Sequence, residues 1–337
     1  MYLNVNHYRE KNCDNLKDLF DTTGCMNNEL IVKLNKSEAV SSLNIEKEIH
    51  SCMKKHKWDP IRSPYFKDTQ SGKYREIDII ARHSYEGLSD KNTALLVEMI
   101  LVVECKSLSG YHIIADGKIK LGKYDKDHLH TIWLGYELDS PFSKTNEILD
   151  KTQLSKSAKD KVIKSLSGLM YPKHNSVYKN LTPAPFNLAR FTAFRETNLG
   201  TIKEIDNSVM WKSFMSLNSV AESFDSFQWG RIEEDLLWHC KNEKSDLGFK
   251  KRANSLSFQV LNKYIGIHKI LVVDANIWAN DKMIKPLPYF RFMQRNIYGT
   301  MDQWIDVVNV THINKYMKYL SGYYNNFFSN TEMRQIK

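Results

Sequence analysis

Between Gly72 and Leu108 the chain reads GKYREIDIIARHSYEGLSDKNTALLVEMILVVECKSL, two apolar runs that each carry an acid where a buried strand has no water to offer it. A strand alternates faces with period two, so Glu104 and Lys106 in LVVECK project from one face and Cys105 from the other. Asp78 sits in the preceding run, EIDIIA, and pairing of the two runs sets Asp78 and Glu104 side by side. Adjacent carboxylates in an apolar sheet repel each other and persist as anions only beside compensating positive charge. A hard divalent cation, for which oxygen ligands are suited, supplies that charge, and Lys106 adds a fixed one. An acid-x-Lys triplet alone is a cheap pattern: Asp116-Gly117-Lys118 is another, and it reads as a solvated turn. A structural salt bridge accounts for Glu104 and Lys106 but leaves Asp78 unexplained. A functional acidic cluster is therefore the expectation.

The rest of the composition narrows the class. With 42% apolar residues in a chain of 337, a substantial core can form, and global disorder is excluded. The longest apolar run, Ala94 to Val103, is interrupted by Glu98 and is too short for a membrane span. The opening MYLNVNHYREKNC lacks the basic-then-apolar order of a signal peptide. Five scattered cysteines, with no C-x-x-C pair, support neither a zinc knuckle nor a disulfide framework, so a reducing cytoplasm is the expected compartment. A net charge of +9 points to an anionic partner, of which nucleic acid is the commonest for a basic protein of this kind. There is no Walker A loop, so ATP hydrolysis by this chain is not expected.

Along the chain, residues 1–30 show no periodicity and read as an N-terminal arm. From Ser37 to Lys57 the pattern is helical, with Ile45, Ile49 and Met53 on one face. Asp59-Pro60 and Ser71-Gly72 are breakers around a short strand and turn. Residues 75–83 and 94–106 read as strands, YHIIADGKIKLG as a hairpin turning at Asp116-Gly117, and HTIWLGYEL as a further strand. Residues 137–248 are rich in Ser, Asn and Lys and read as a mostly helical insertion; between Lys151 and Asn180 seven lysines face a single acid, Asp160. KKRANSLSFQVLNKYIG then reads as a helix with Leu256, Val260 and Tyr264 on one face, stopped at Gly266. HKILVVDANIW follows as a buried strand, with Asp274 as a strand-end residue bonded to the turn after it. IDVVNV reads as a strand and the segment beyond it as a final amphipathic helix.

The pattern G-K-x-R-E-I-D-I-I-A … V-V-E-C-K resembles the PD-(D/E)XK nuclease superfamily, whose members place a glutamate on a leading helix, an Asp on a hairpin and Glu-x-Lys on the next strand. Here Ile77 stands where the family's name has proline. The resemblance is clear over 37–106 and extends more weakly to 320. It implies an α/β fold: a restriction-endonuclease-like core with a central mixed β-sheet flanked by helices, and the large mostly helical insertion. The core would comprise 31–136 and 249–322, the insertion 137–248, and a C-terminal tail 323–337. Glu46, three residues before Ile49, shares the inward helix face and takes the place of the helix glutamate, whereas Glu48 faces solvent. The catalytic set implied is Glu46, Asp78, Glu104 and Lys106. Mg²⁺ or Mn²⁺ would be held by Asp78, Glu104 and the Cys105 backbone carbonyl, with Glu46 binding a second ion or a metal-bound water. Acids around Lys106 raise an amine's pKa, which assigns it to placing water and stabilising developing charge, general-base action requiring a desolvated lysine. Lys73, Arg75, Lys250, Lys251 and Arg252 are the candidate contacts to the nucleic-acid backbone.

The resemblance thus implies a metal-dependent DNA endonuclease of a restriction or antiphage defence system. RNA as substrate would use the same site. The alternative from another class is a non-enzymatic nucleic-acid-binding or sensor protein on the same fold. No membrane partner is expected. A homodimer, or a defence-system protein encoded nearby, is the protein partner the resemblance leaves open.

Overall fold

The computed structural model describes residues 28–35, 37–68, 71–88, 94–116, 150, 155–157, 187–188, 190–196, 200–205, 208, 210–224, 263–280, 283–295, 301–329 and 334–335. Over these residues the chain is a mixed α/β protein. Among the described residues its longer helices are α1 (Asn28–Asn35), α2 (Glu38–Lys55), α3 (210–224) and α4 (Ile313–Ser329). Among the described residues no helix is long and apolar enough to cross a membrane.

The main sheet is built around β5 (Ala94–Lys106). β4 (Ile79–Leu88) runs antiparallel to it, with Ile79 opposite Val103. β10 (Lys263–Val273) runs parallel on its other side, from Lys263 opposite Leu96 to Val273 opposite Lys106. Beyond β10 lie β14 (Met301–Asn309) and β13 (Tyr289–Arg295), and then the two-residue β7 (Asn187–Leu188). Beyond β4 lie β1 (Asp59–Arg62) and β15 (Arg334–Gln335). Pro60, which has no N–H for a ladder, is confined to the outer strand β1, as its chemistry requires.

Alternation on β5 divides the core in two. Met99, Leu101, Val103 and Cys105 face α2 and α4, where Ile45, Ile49, Met53, Met317 and Leu320 complete one cluster. Ile100 and Val102 face the opposite layer, which holds α3 through Phe214, Leu217 and Val220. That layer also holds a second sheet, ordered β12 (Ile284–Pro286), β11 (Asn276–Asn280), β6 (Tyr111–Asp116), β8 (Arg190–Glu196) and β9 (Ile202–Ile205). Ile49 and Met53 are fully buried, so the four-residue spacing read from the sequence does mark the inward face of α2. Ser37 caps that helix by accepting the Val40 N–H at 3.2 Å.

Several expectations are revised. Tyr264 and Gly266 lie in β10 and do not end a helix: eleven residues of parallel pairing with β5 satisfy this backbone as strand, and that outweighs the helical spacing of the side chains. The remainder of that segment, with Leu256 and Val260, lies outside the described residues, as does HTIWLGYEL. β6 does not pair with a segment turning at Asp116-Gly117, because its two edges are occupied by β8 and β11. The stretch 137–248 supplies strands β7, β8 and β9 as well as helix α3, and β8 and α3 bury Phe191 and Phe214 in the core. α4 runs through the boundary set at 322, with Tyr324 fully buried, and β15 pairs with β4. α1 begins inside the expected arm.

One charged cluster is wholly interior. Arg291 of β13 forks onto Asp306 of β14, Nε donating to Oδ1 at 2.7 Å and Nη2 to Oδ2 at 2.8 Å. Tyr316 of α4 donates to Asp306 Oδ2 at 2.9 Å, and His268 Nε2 stands 2.9 Å from the same oxygen. An ionised carboxylate only accepts, so Nε2 carries the proton and Nδ1 accepts from the Tyr324 hydroxyl at 2.8 Å. Burial pulls the Asp306 carboxyl up, but Arg291 and His268 outweigh it and hold the carboxyl well below the usual range. Removing one partner leaves the other buried and uncompensated. Asp306→Ala should therefore cost about 3–5 kcal/mol of stability, read as a lower urea midpoint at unchanged slope; a loss under about 1 kcal/mol would show that Arg291 finds another partner or water.

Candidate active site

The β4–β5 ladder ends at Ile79 opposite Val103, and one step further the same register sets Asp78 opposite Glu104. Asp78 lies at the bend just before β4, where the Cys105 N–H no longer has a strand partner. The Asp78 side chain takes that donor: Cys105 N–H donates to Oδ2 at 2.6 Å. Glu104, 7% exposed, projects from the face that carries Ile100 and Val102. Its Oε1 is 2.6 Å from Lys106 Nζ, and its Oε2 accepts from Ser216 Oγ of α3 at 3.5 Å.

Asp78, Glu104 and Lys106 are thus brought together at the end of two paired strands. Burial raises the Asp78 carboxyl to about 6, the charge of Glu104 pushes in the same direction, and the Cys105 N–H and Lys106 only partly offset them. Burial pulls the Lys106 amine down, but the charge and hydrogen bond of Glu104 outweigh it, so Lys106 titrates above its ordinary value and stays cationic. Burial, reinforced by Asp78, Glu46 and Glu104, raises the Cys105 thiol well above its usual range, which leaves it protonated and a poor nucleophile.

Glu46 is also buried, at 7% exposure, while Glu48 is exposed. It reaches the site from the other layer, because α2 covers the Cys105 face of β5, and its charge is felt by both Asp78 and Cys105. Its Oε2 is engaged at 3.2 Å by Arg62 Nη2 of β1. Ser42 of α2 points its hydroxyl at the Cys105 carbonyl, 3.5 Å away. Arg62 and Ser216 carry no signal in the sequence and reach the site through tertiary packing, whereas Ser42 lies four residues before Glu46 on the same face of α2.

Asp274 stays out of the cluster. Its carboxylate accepts from the Leu108 N–H and from Ser107 Oγ at 3.0 Å, fastening the turn after β5. It was expected to bond the turn after its own strand; β5 and β10 end side by side, so the turn within reach is the other one. Lys73 and Arg75 are exposed, and Arg75 Nε pairs with Asp68 at 2.7 Å. Lys250, Lys251 and Arg252 lie outside the described residues.

The donor chemistry fits a hard cation in part. Asp78 and Glu104 offer carboxylate oxygens whose mutual repulsion a cation would relieve, whereas Glu46 is already engaged by a guanidinium. Among the described residues no three His, Cys, Asp or Glu side chains are grouped so as to hold a metal ion. The chain has no significant match among protein-family models, curated proteins or solved structures.

A carboxyl raised in the fold costs stability once it ionises. The cost is absent below the unfolded aspartate pKa, grows as pH rises toward about 6 and is complete above it. Asp78→Asn keeps an oxygen for the Cys105 N–H and removes the charge. At pH 7 without divalent ions this variant should be more stable than the parent by on the order of 1 kcal/mol, once solvent screening at this half-buried position is allowed for. The gap should close near pH 4, where the parent carboxyl is protonated, and a variant less stable at both pH values would overturn this account.

Proposed function

We propose that the chain is a metal-dependent nuclease with a restriction-endonuclease-like core, acting on DNA in a restriction or antiphage defence role. The observation that supports this most directly is the single grouping of Asp78, Glu104 and Lys106, with Lys106 Nζ 2.6 Å from Glu104 at the end of two paired strands. A fold needs one buried ion pair there at most; the second carboxylate, raised to about 6, is a standing electrostatic cost that a bound cation would relieve.

In this reading Asp78 and Glu104 hold one Mg²⁺ or Mn²⁺, with the Cys105 carbonyl as a neutral third oxygen. Bound there, such an ion supplies Lewis-acid polarisation of the phosphate and acidifies a water ligand. Lys106 remains protonated beside Glu104, so its part is to place water and to stabilise charge that develops on the phosphate oxygens. It does not act as general base in that state. Glu46, paired with Arg62, sets the field behind the Cys105 strand and keeps the guanidinium in place. The basic surface formed in part by Lys73 and Arg75 attracts the backbone of the substrate.

Cleavage of DNA should require Mg²⁺ or Mn²⁺ and stop with EDTA. Lys106→Ala should lower the rate by about 100- to 1000-fold, the scale for removing one preorganised charge-stabilising group, while the salt dependence of binding changes by no more than about one unit of slope. Cutting in excess chelator would sink the metal assignment. Equal cleavage by parent and Lys106→Ala, free of contaminating nuclease, would leave a nucleic-acid-binding protein as the better reading.

A further inference from the structure

The chain that leads into Asp78 is a small hairpin with two unlike faces. β2 (Tyr65–Lys67) and β3 (Tyr74–Glu76) pair antiparallel, with Tyr65 opposite Glu76, Phe66 opposite Arg75 and Lys67 opposite Tyr74. Phe66 is buried, and with Ile77 it joins the cluster on the side of β5 from which Glu104 projects. The tip is fastened through Asp68, whose N–H donates to the Lys73 carbonyl at 2.9 Å and whose own carbonyl accepts from Gly72 at 2.8 Å. Gly72 adopts φ +67°, which this turn requires and a side chain would resist. The base is clamped to the site itself: Ser63 N–H donates to the Asp78 carbonyl at 2.9 Å, and Ile77 N–H to the Pro64 carbonyl at 3.1 Å. The hairpin is therefore held rigidly against the backbone of a proposed catalytic residue.

Its other face is spent on solvent. Tyr65 and Tyr74 are 70% and 74% exposed. They stand on the same face, diagonal to each other across the pair, a separation of about 7–8 Å between such residues. Neither ring serves the core, which Phe66 and Ile77 already anchor. Lys67, opposite Tyr74, and Lys73, next to it in the chain, are exposed cations beside the rings, while Arg75 is tied to Asp68.

Resting on the nuclease reading above, we propose that this face is a stacking platform for unpaired bases, which places a single-stranded segment of the substrate beside the Asp78–Glu104 cluster. Base–aromatic stacking tolerates any sequence because every base has a π-face, and it is strongest where a basic surface tracks the backbone. A duplex keeps its bases closed and gives the two rings nothing to stack on. A protein helix or a lipid surface would call for a continuous apolar face, and here Lys67 and Glu76 stand beside the rings. The substrate class is then single-stranded nucleic acid, or a duplex with unpaired bases at the cut.

The test uses the full chain in EDTA, so that no cutting intervenes, with fluorescence anisotropy on a labelled oligo(dT) strand and on a blunt duplex. Tyr65→Ala with Tyr74→Ala should weaken oligo(dT) binding by on the order of ten-fold per ring and leave duplex binding unchanged, and Tyr65→Phe with Tyr74→Phe should restore it. Both positions are exposed, and a thermal melt superimposable on the parent's establishes that the fold is intact. Undiminished oligo(dT) binding by the double alanine variant, or an equal loss on both probes, overturns the platform while leaving the nuclease reading in place. A parent protein that binds neither probe removes the platform, whereas the nuclease reading falls only with the cation-dependent cleavage.

Discussion

Everything about the candidate site follows from where β5 stops being enclosed. From Met99 to Val103 the strand is buried on both faces, and its two edges are filled by β4 and β10. Such a strand is committed to apolar side chains. At Glu104 the β4 ladder has run out, Asp78 substitutes its carboxylate for the missing backbone acceptor of Cys105, and the polar sequence begins. Asp78 is thus both the end of a ladder and a member of an acidic pair. That double duty explains how a carboxylate can be held a fixed distance from its neighbour without an added loop.

The sheet separates two kinds of acid that the sequence treats alike. Glu104 and Lys106 face the layer of α3, with Ser216 against Glu104, while Glu46 arrives from α2 across the sheet and meets Arg62. Asp78, at the bend, feels both. The arrangement gives Glu104 an ammonium in Lys106 and Glu46 a guanidinium in Arg62. Glu46 meets a guanidinium through one nitrogen at 3.2 Å and Glu104 an ammonium at 2.6 Å, so among the described residues each carboxylate is answered by a single cationic contact.

Much of this was legible in the sequence because its signals were local. Alternation placed Glu104 and Lys106 on one face and Cys105 on the other, and a spacing of four marked Ile45, Ile49 and Met53 as the buried stripe of α2. The failures came where pairing partners are distant. Tyr264 continues a helical spacing from Val260, yet its backbone belongs to a ladder with β5, a strand more than 150 residues earlier in the chain. The strands β7 to β9 are short and polar at their edges, and β8 becomes recognisable only when β6 offers it an edge. Arg62 follows the same rule: nothing in DPIRSP announces a partner for Glu46 until β1 folds back against β4.

Two acids, one within the main sheet and one at the bend that enters it, show why one is structural and the other a candidate for chemistry. Asp306 is answered completely: a forked arginine, a histidine N–H and a tyrosine hydroxyl all point at its two oxygens, and its carboxyl is held far below the usual range. Nothing remains for a ligand to do there. Asp78 and Glu104 are two carboxylates drawing on one backbone N–H, one lysine and a distant serine, and Asp78 is raised to about 6. Lys269, buried on the neighbouring strand, makes no such contribution; it is engaged by Asn218 at 2.8 Å. Asp306 lies fully buried within β14 and Asp78 half-buried at the bend before β4, but what sets them apart chemically is unmet demand for positive charge, which gathers where the β4–β5 ladder ends.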